Sequence, residues 1–234
     1  MNNLKIEINP KKIAIFLVII ALFLTIQSVT AQYLLHVLKY NHLIEYIRLV
    51  NLDSEANIPT WFAVILLLCC STLLFLIGVS ARKNGNKDSV YWKGLALLFL
   101  YISIDEASRI HELSIKPLRH LFNVSGYLYF TWVIPGLILV IVIVLLYLKF
   151  FVNLPQKICN LIAGAWGLYV GGALGMEAIG ARYISHVGSV DMLFVMITTI
   201  EETLEMLGLI LFIYALLIYL SSLGQNTYFA IKEK

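Results

Sequence analysis

The sequence predicts an all-α protein: a polytopic membrane bundle of six transmembrane helices, forming one integral membrane domain over residues 1–234. Three observations carry this. Only 13% of the 234 residues are charged, about half of the roughly 25% that covers a soluble domain. Hydrophobic residues make up 60% of the chain, and the mean hydropathy is +0.87. The apolar residues also come in runs of twenty or more, where a β-barrel would show short alternating segments. A soluble enzyme and a disordered chain are both excluded.

Six apolar segments are legible, at about 13–38, 59–81, 91–113, 127–150, 157–181 and 190–221. Each can cross a hydrocarbon core of about 30 Å at 1.5 Å per residue. The first carries Lys11-Lys12 before its apolar run and Val29-Thr30-Ala31 after it, in the manner of a signal peptide. Its apolar character continues through Tyr33-Leu34-Leu35, so the expectation is a retained membrane helix. The fourth opens with Tyr127, Tyr129, Phe130 and Trp132, an interfacial aromatic belt. In the fifth, Gly167, Gly171 and Gly175 recur every four residues, a small-residue stripe suited to close helix packing. Asp191 stands where the sixth helix needs an N-cap.

Basic residues orient the bundle. Eleven Lys and Arg fall in the tails and the second and fourth connections, against five in the other three. The positive-inside rule then places both termini in the cytoplasm of a cell membrane. The net charge of +3, with no basic stripe interleaved with aromatics, argues against a nucleic-acid partner. Cys69, Cys70 and Cys159 lie in or beside apolar runs and read as small core hydrophobes.

The functional signal is acidic. Seven of the fourteen carboxylates lie inside or at the ends of apolar segments: Asp105, Glu106 and Glu112 in the third, Glu177 in the fifth, and Glu201, Glu202 and Glu205 in the sixth. Each would cost about 2.5–3.5 kcal/mol at the bilayer centre on insertion scales, so they must converge on one another, on cations or on a wet cavity. On a continuous third helix, Asp105 and Glu112 share a face, His111 lies at its edge and Glu106 points elsewhere. Glu201 and Glu205 are one turn apart, a spacing at which two carboxylates can grip one ion. At 1.5 Å per residue, Asp105 to Glu112 lie about 21–32 Å from the cytoplasmic end, and Glu201 to Glu205 about 16–22 Å in from the outside. Both groups, with Glu177, therefore meet in the outer half of the membrane.

Carboxylates with an imidazole suit Zn, Mn or Fe. The expected ligands are Asp105, His111, Glu112, Glu201 and Glu205, with Glu177 and Glu202 as catalytic acids or bases. The implied protein is a divalent-metal-dependent membrane enzyme acting on a lipid or small extracytoplasmic substrate. Two other readings use the same residues: a proton- or cation-coupled transporter or channel, and a structural ion-pair network in which Arg109 pairs with Asp105 and Arg182 with Glu177. Over a few residues, Glu201-Glu202 followed by Glu205 resembles the paired-glutamate motifs of intramembrane metal-dependent proteases. The basic residue and later histidines of those motifs are missing here, so no roles carry over.

Overall fold

Asn9, Asn57 and Asp191 each stand just before an apolar helix and cap it. The Asn9 side chain accepts from Lys12 N, Asn57 from Thr60 N, and Asp191 from Leu193 N and Phe194 N. Each cap satisfies N–H groups that the first helical turn cannot bond internally. A computed structural model describes residues 9–223, of which none lies in a strand.

The helices are α1 (Pro10–His36), α2 (Ile44–Val50), α3 (Ile58–Lys83), α4 (Ser89–Ser108), α5 (Ile110–Leu113), α6 (Ile115–Phe122), α7 (Val133–Val152), α8 (Gln156–Val170), α9 (Glu177–Val187) and α10 (Met192–Ser222). A π-helical segment, Gly171–Met176, joins α8 to α9 without breaking the rod. Five rods are long and apolar enough to cross a membrane: α1, α3, α7, the continuous run 156–187 and α10. The expected sixth, α4, has the length, but Lys93, Asp105 and Glu106 make it too charged to count by apolarity.

The third segment departs most from expectation. Arg109 adopts φ 58°, in the left-handed region, and ends α4. The chain then restarts as two short helices, so Asp105 and Glu112 do not share a helical face. The fourth helix begins at Val133 rather than 127, because Gly126–Leu128 forms a 3-10 turn.

α10 sits at the centre, packed against α1, α3, α8, the π segment and α9. Of its apolar stretch 44% is buried, against 11% of α7's. Phe99 of α4 stacks on Phe212 of α10 with ring centroids 5.0 Å apart, and Trp92 and Phe212 are fully buried. Cys70 is buried in this core, while Cys69 faces outward. The opposite faces are bare: Phe16, Ile19 and Phe23 on α1, and Ile138, Ile141 and Leu145 on α7, are all exposed. Bare apolar surface of this extent fits a lipid rather than a water solvent.

The expected glycine stripe is not where the helices meet. A Cβ on Gly167, Gly171 or Gly175 would find nothing within 4 Å. Close approach occurs at Gly208, where a Cβ would stand 2.7 Å from Tyr169 N, and at Gly172, where it would stand 2.8 Å from the Glu201 carbonyl oxygen. The stripe thus faces away from α10 along its whole length, and the neighbouring Gly172 in the π segment makes the contact.

Candidate functional site

The helix break at Arg109 is what builds the site. Having turned back, the chain places His111 over Asp105. One Asp105 oxygen accepts from His111 N at 2.8 Å, and the other lies 2.8 Å from His111 Nδ1. The ring is thereby fixed in orientation, with Nε2 left free.

A second wall comes from the loop between α2 and α3. Leu52 N donates to Ser28 Oγ at 3.0 Å and Asn57 Nδ2 to the Asn51 carbonyl at 2.6 Å, which holds the loop against α1 and α3. The loop carries Asp53 and Glu55. Asp53 opens to solvent, yet the surrounding protein mass, then the nearby Glu177 and Glu112, push its carboxyl up to about 7. Burial and Glu112 raise Glu55 to about 7 as well, against the opposing pull of Arg109. Arg109 Nε lies 2.6 Å from Glu55 Oε2, and its NH2 group 2.5 Å from Glu112 Oε2. Glu55 Oε2 receives no hydrogen bond, so that contact is an ion pair off the donor axis.

The third wall is Trp132, placed by the turn ahead of α7. Thr131 is fully buried and donates to the Ile115 carbonyl at 2.7 Å, and Arg119 donates to the Tyr129 carbonyl at 2.8 Å. Trp132 Nε1 then donates to Glu177 Oε1 at 2.5 Å, while its ring packs 4.8 Å from that of His111. Glu177 in turn contacts the Glu201 carboxyl, a pairing of two acids that requires one of them to carry the proton. Glu201 is only 8% exposed, and its Oε2 receives no hydrogen bond from any donor in the structure.

These walls enclose a cavity of about 500 Å³. All seven carboxylates singled out in the sequence line it, together with Asp53 and Glu55. Glu106, expected to point elsewhere, is among them. His111 is the one histidine in the lining; His36, His42, His120 and His186 are not there. The expected ion pairs are different too. Arg109 engages Glu55 and Glu112 instead of Asp105, and Arg182 lies over the Tyr127 ring, 4.9 Å from its centroid.

Among the described residues, one group offers three possible metal-ligand atoms within 4.8 Å of one another: Glu55, His111 and Glu112. Asp105, Glu201 and Glu205, expected as ligands, stand outside that trio. Sequence reasoning missed Asp53 and Glu55 because they lie in a polar loop, where acids are ordinary. It missed Trp132 because an aromatic at a helix start reads as a membrane-interface residue.

The class this fold and cavity define is a multi-helix bundle of apolar rods, compatible with a membrane protein, with a carboxylate-lined polar chamber and a possible Glu/His/Glu cluster. A family model described as "Domain of unknown function (DUF8692)" matches residues 13–220, and the chain belongs to that family. No curated protein and no solved structure matches it.

Proposed function

We propose that this protein is a six-span membrane enzyme that uses a divalent cation, held at the mouth of the acid-lined cavity, to act on a lipid or small extracytoplasmic substrate. The single observation that carries the reading is the trio Glu55, His111 and Glu112, with Asp105 holding the imidazole through Nδ1. A carboxylate behind a ligating histidine is the usual support of a metal site. One imidazole and two carboxylates suit Zn, Mn or Fe. Such an ion would polarise a substrate oxygen or activate a bound water. Glu177, held by Trp132 and paired with Glu201, is placed to move a proton; Glu202 and Glu205 back it from α10.

α4 is the sixth span in this reading. Its charges Asp105 and Glu106 face the cavity, Lys93 lies near its N-terminal end, and Trp92, Leu95 and Phe99 bury its apolar side. The excess of basic residues in the tails and the second and fourth connections puts both termini in the cytoplasm and the cavity in the outer half of the membrane.

Elemental analysis of the purified, detergent-solubilised protein tests the metal. A stoichiometric Zn, Mn or Fe, lost in His111→Ala, is the expected result. No bound metal, together with a melting temperature that chelator leaves unchanged, would overturn the proposal.

One feature favours the transporter reading as a second choice. The π segment Gly171–Met176 changes the pitch of a spanning rod immediately before Glu177, and non-α stretches beside buried acids are common in transporters. Proteoliposomes containing a pH-sensitive dye separate the two, because only a transporter carries protons across the sealed bilayer.

A further inference from the structure

α7 is fastened at both ends and stands off in the middle. At its C-terminal end, Phe150 packs on Trp92 at 4.9 Å between centroids, and Phe151 on Trp166 at 4.8 Å. At its start, Gly136 lies so close to Leu174 that a Cβ would be 2.9 Å from that side chain. Between these fastenings a second cavity of about 90 Å³ opens between α7 and the bundle. Phe99, Ile102, Val140, Ile143, Val170 and Phe212 contribute to its wall, which holds no charged residue. It shares Ile102, Leu139, Val140, Tyr169 and Val170 with the acid-lined chamber, so the two adjoin. From Glu205 to Phe212 along α10 is about 10 Å, so the apolar cleft extends the chamber toward the other face of the bilayer.

We infer that the chamber and cleft together bind one amphiphile: a lipid with an acyl chain in the cleft and a head rich in amine or hydroxyl donors, lacking phosphate, among the carboxylates. This rests on the proposed reading of the chamber as a membrane-enzyme site, and names its substrate class. Two observations select the occupant. An apolar slot against a helix whose outer face is bare, as at Leu145 (73% exposed), borders hydrocarbon on the bilayer side, and acyl chains are what fill it. The chamber wall presents nine carboxyl groups and His111, and the one cation beside it, Arg109, is taken up by Glu55 and Glu112. A phosphate head would meet like charge there even with one divalent ion bound, whereas amine and hydroxyl donors meet acceptors.

The test uses full-length protein in nanodiscs and three photo-crosslinking lipids with the same diazirine-bearing hexadecyl tail. Their heads are a primary amine, a glycerol and a phosphate. The amine or glycerol probe should label α4, α7, α8 or α10 at the cleft, and the phosphate probe should label it far less. Ile143→Trp and Leu98→Trp, each filling the cleft without touching the chamber, should cut labelling about tenfold or more. Mn²⁺ binding, followed by electron paramagnetic resonance, should be unchanged in both variants and shows that they are folded. Equal labelling by all three heads, or full labelling in both folded Trp variants, would overturn the inference. If wild type binds no cation yet the amine or glycerol probe labels the cleft selectively, the metal reading fails and the lipid site stands.

Discussion

Asp105 grips His111 twice, accepting from its backbone N at 2.8 Å and lying 2.8 Å from its ring Nδ1, across a helix break that contains only Arg109 in a left-handed conformation. A backbone contact fixes where the residue is, and a ring contact fixes which way the imidazole faces. Removing the second while keeping the first separates positioning from folding. Asp105→Asn keeps an acceptor for the backbone N–H but loses the charge behind the ring. Cation affinity should fall about 10- to 100-fold, the usual effect of losing such a partner. Isothermal titration with Mn²⁺ reads this directly, and an unchanged affinity would mean that His111 is not a ligand.

Arg109 presents the opposite case. Its guanidinium already lies against Glu55 and Glu112, two of the three candidate ligands, and is itself 52% exposed. It competes with any ion for the same oxygens. Arg109→Gln should therefore tighten Mn²⁺ binding while lowering the stability of the metal-free protein. Weaker binding in the variant would show instead that the arginine organises the site.

Gly172 is required by contact rather than by conformation. A Cβ there would stand 2.8 Å from the Glu201 carbonyl oxygen and 2.9 Å from Glu205 Cγ. Gly172→Ala should destabilise by about 1–3 kcal/mol, the usual cost of overpacking. Gly175→Ala, where a Cβ meets nothing within 4 Å, should be neutral or slightly stabilising. Thermal melting of the pair decides; equal melting temperatures would refute the close approach of the π segment to α10.

Asp53 makes stability depend on pH. Its carboxyl is raised from 3.8 to about 7, first by the surrounding protein mass and then by Glu177 and Glu112. Between these values the folded chain keeps a proton that the unfolded chain has released. The stabilisation is complete below about pH 4, is lost as pH rises to about 7, and changes little above that. In chelator, the wild-type melting temperature should fall between about pH 4 and about pH 7, and Asp53→Asn should fall less. Parallel curves for the two proteins would show that the Asp53 carboxyl is not raised in the folded chain.

Much of this protein is determined by local sequence. The long apolar runs, the caps at Asn9, Asn57 and Asp191, and the gathering of seven carboxylates from apolar segments follow from hydropathy, from capping chemistry and from the cost of burying charge, all of which act over a few residues. The Glu201, Glu202 and Glu205 arc needed only an unbroken helix, and α10 is one. Tertiary structure decided the rest. No glycine or proline marks the break at Arg109: a non-glycine residue is held there at φ 58° among contacts with Glu55 and Glu112, one distant in sequence and one that comes near only once the chain has turned. Glu55 and Trp132 enter the site through a loop tethered to Ser28 and a turn tethered to Ile115. Neither tether leaves a periodic trace in the sequence. The close contact falls at Gly172 rather than Gly171 or Gly175, because which glycine meets α10 depends on the rotation of one helix against another. Periodicity reports the face of a helix, and it loses that information wherever the helix changes its pitch or stops.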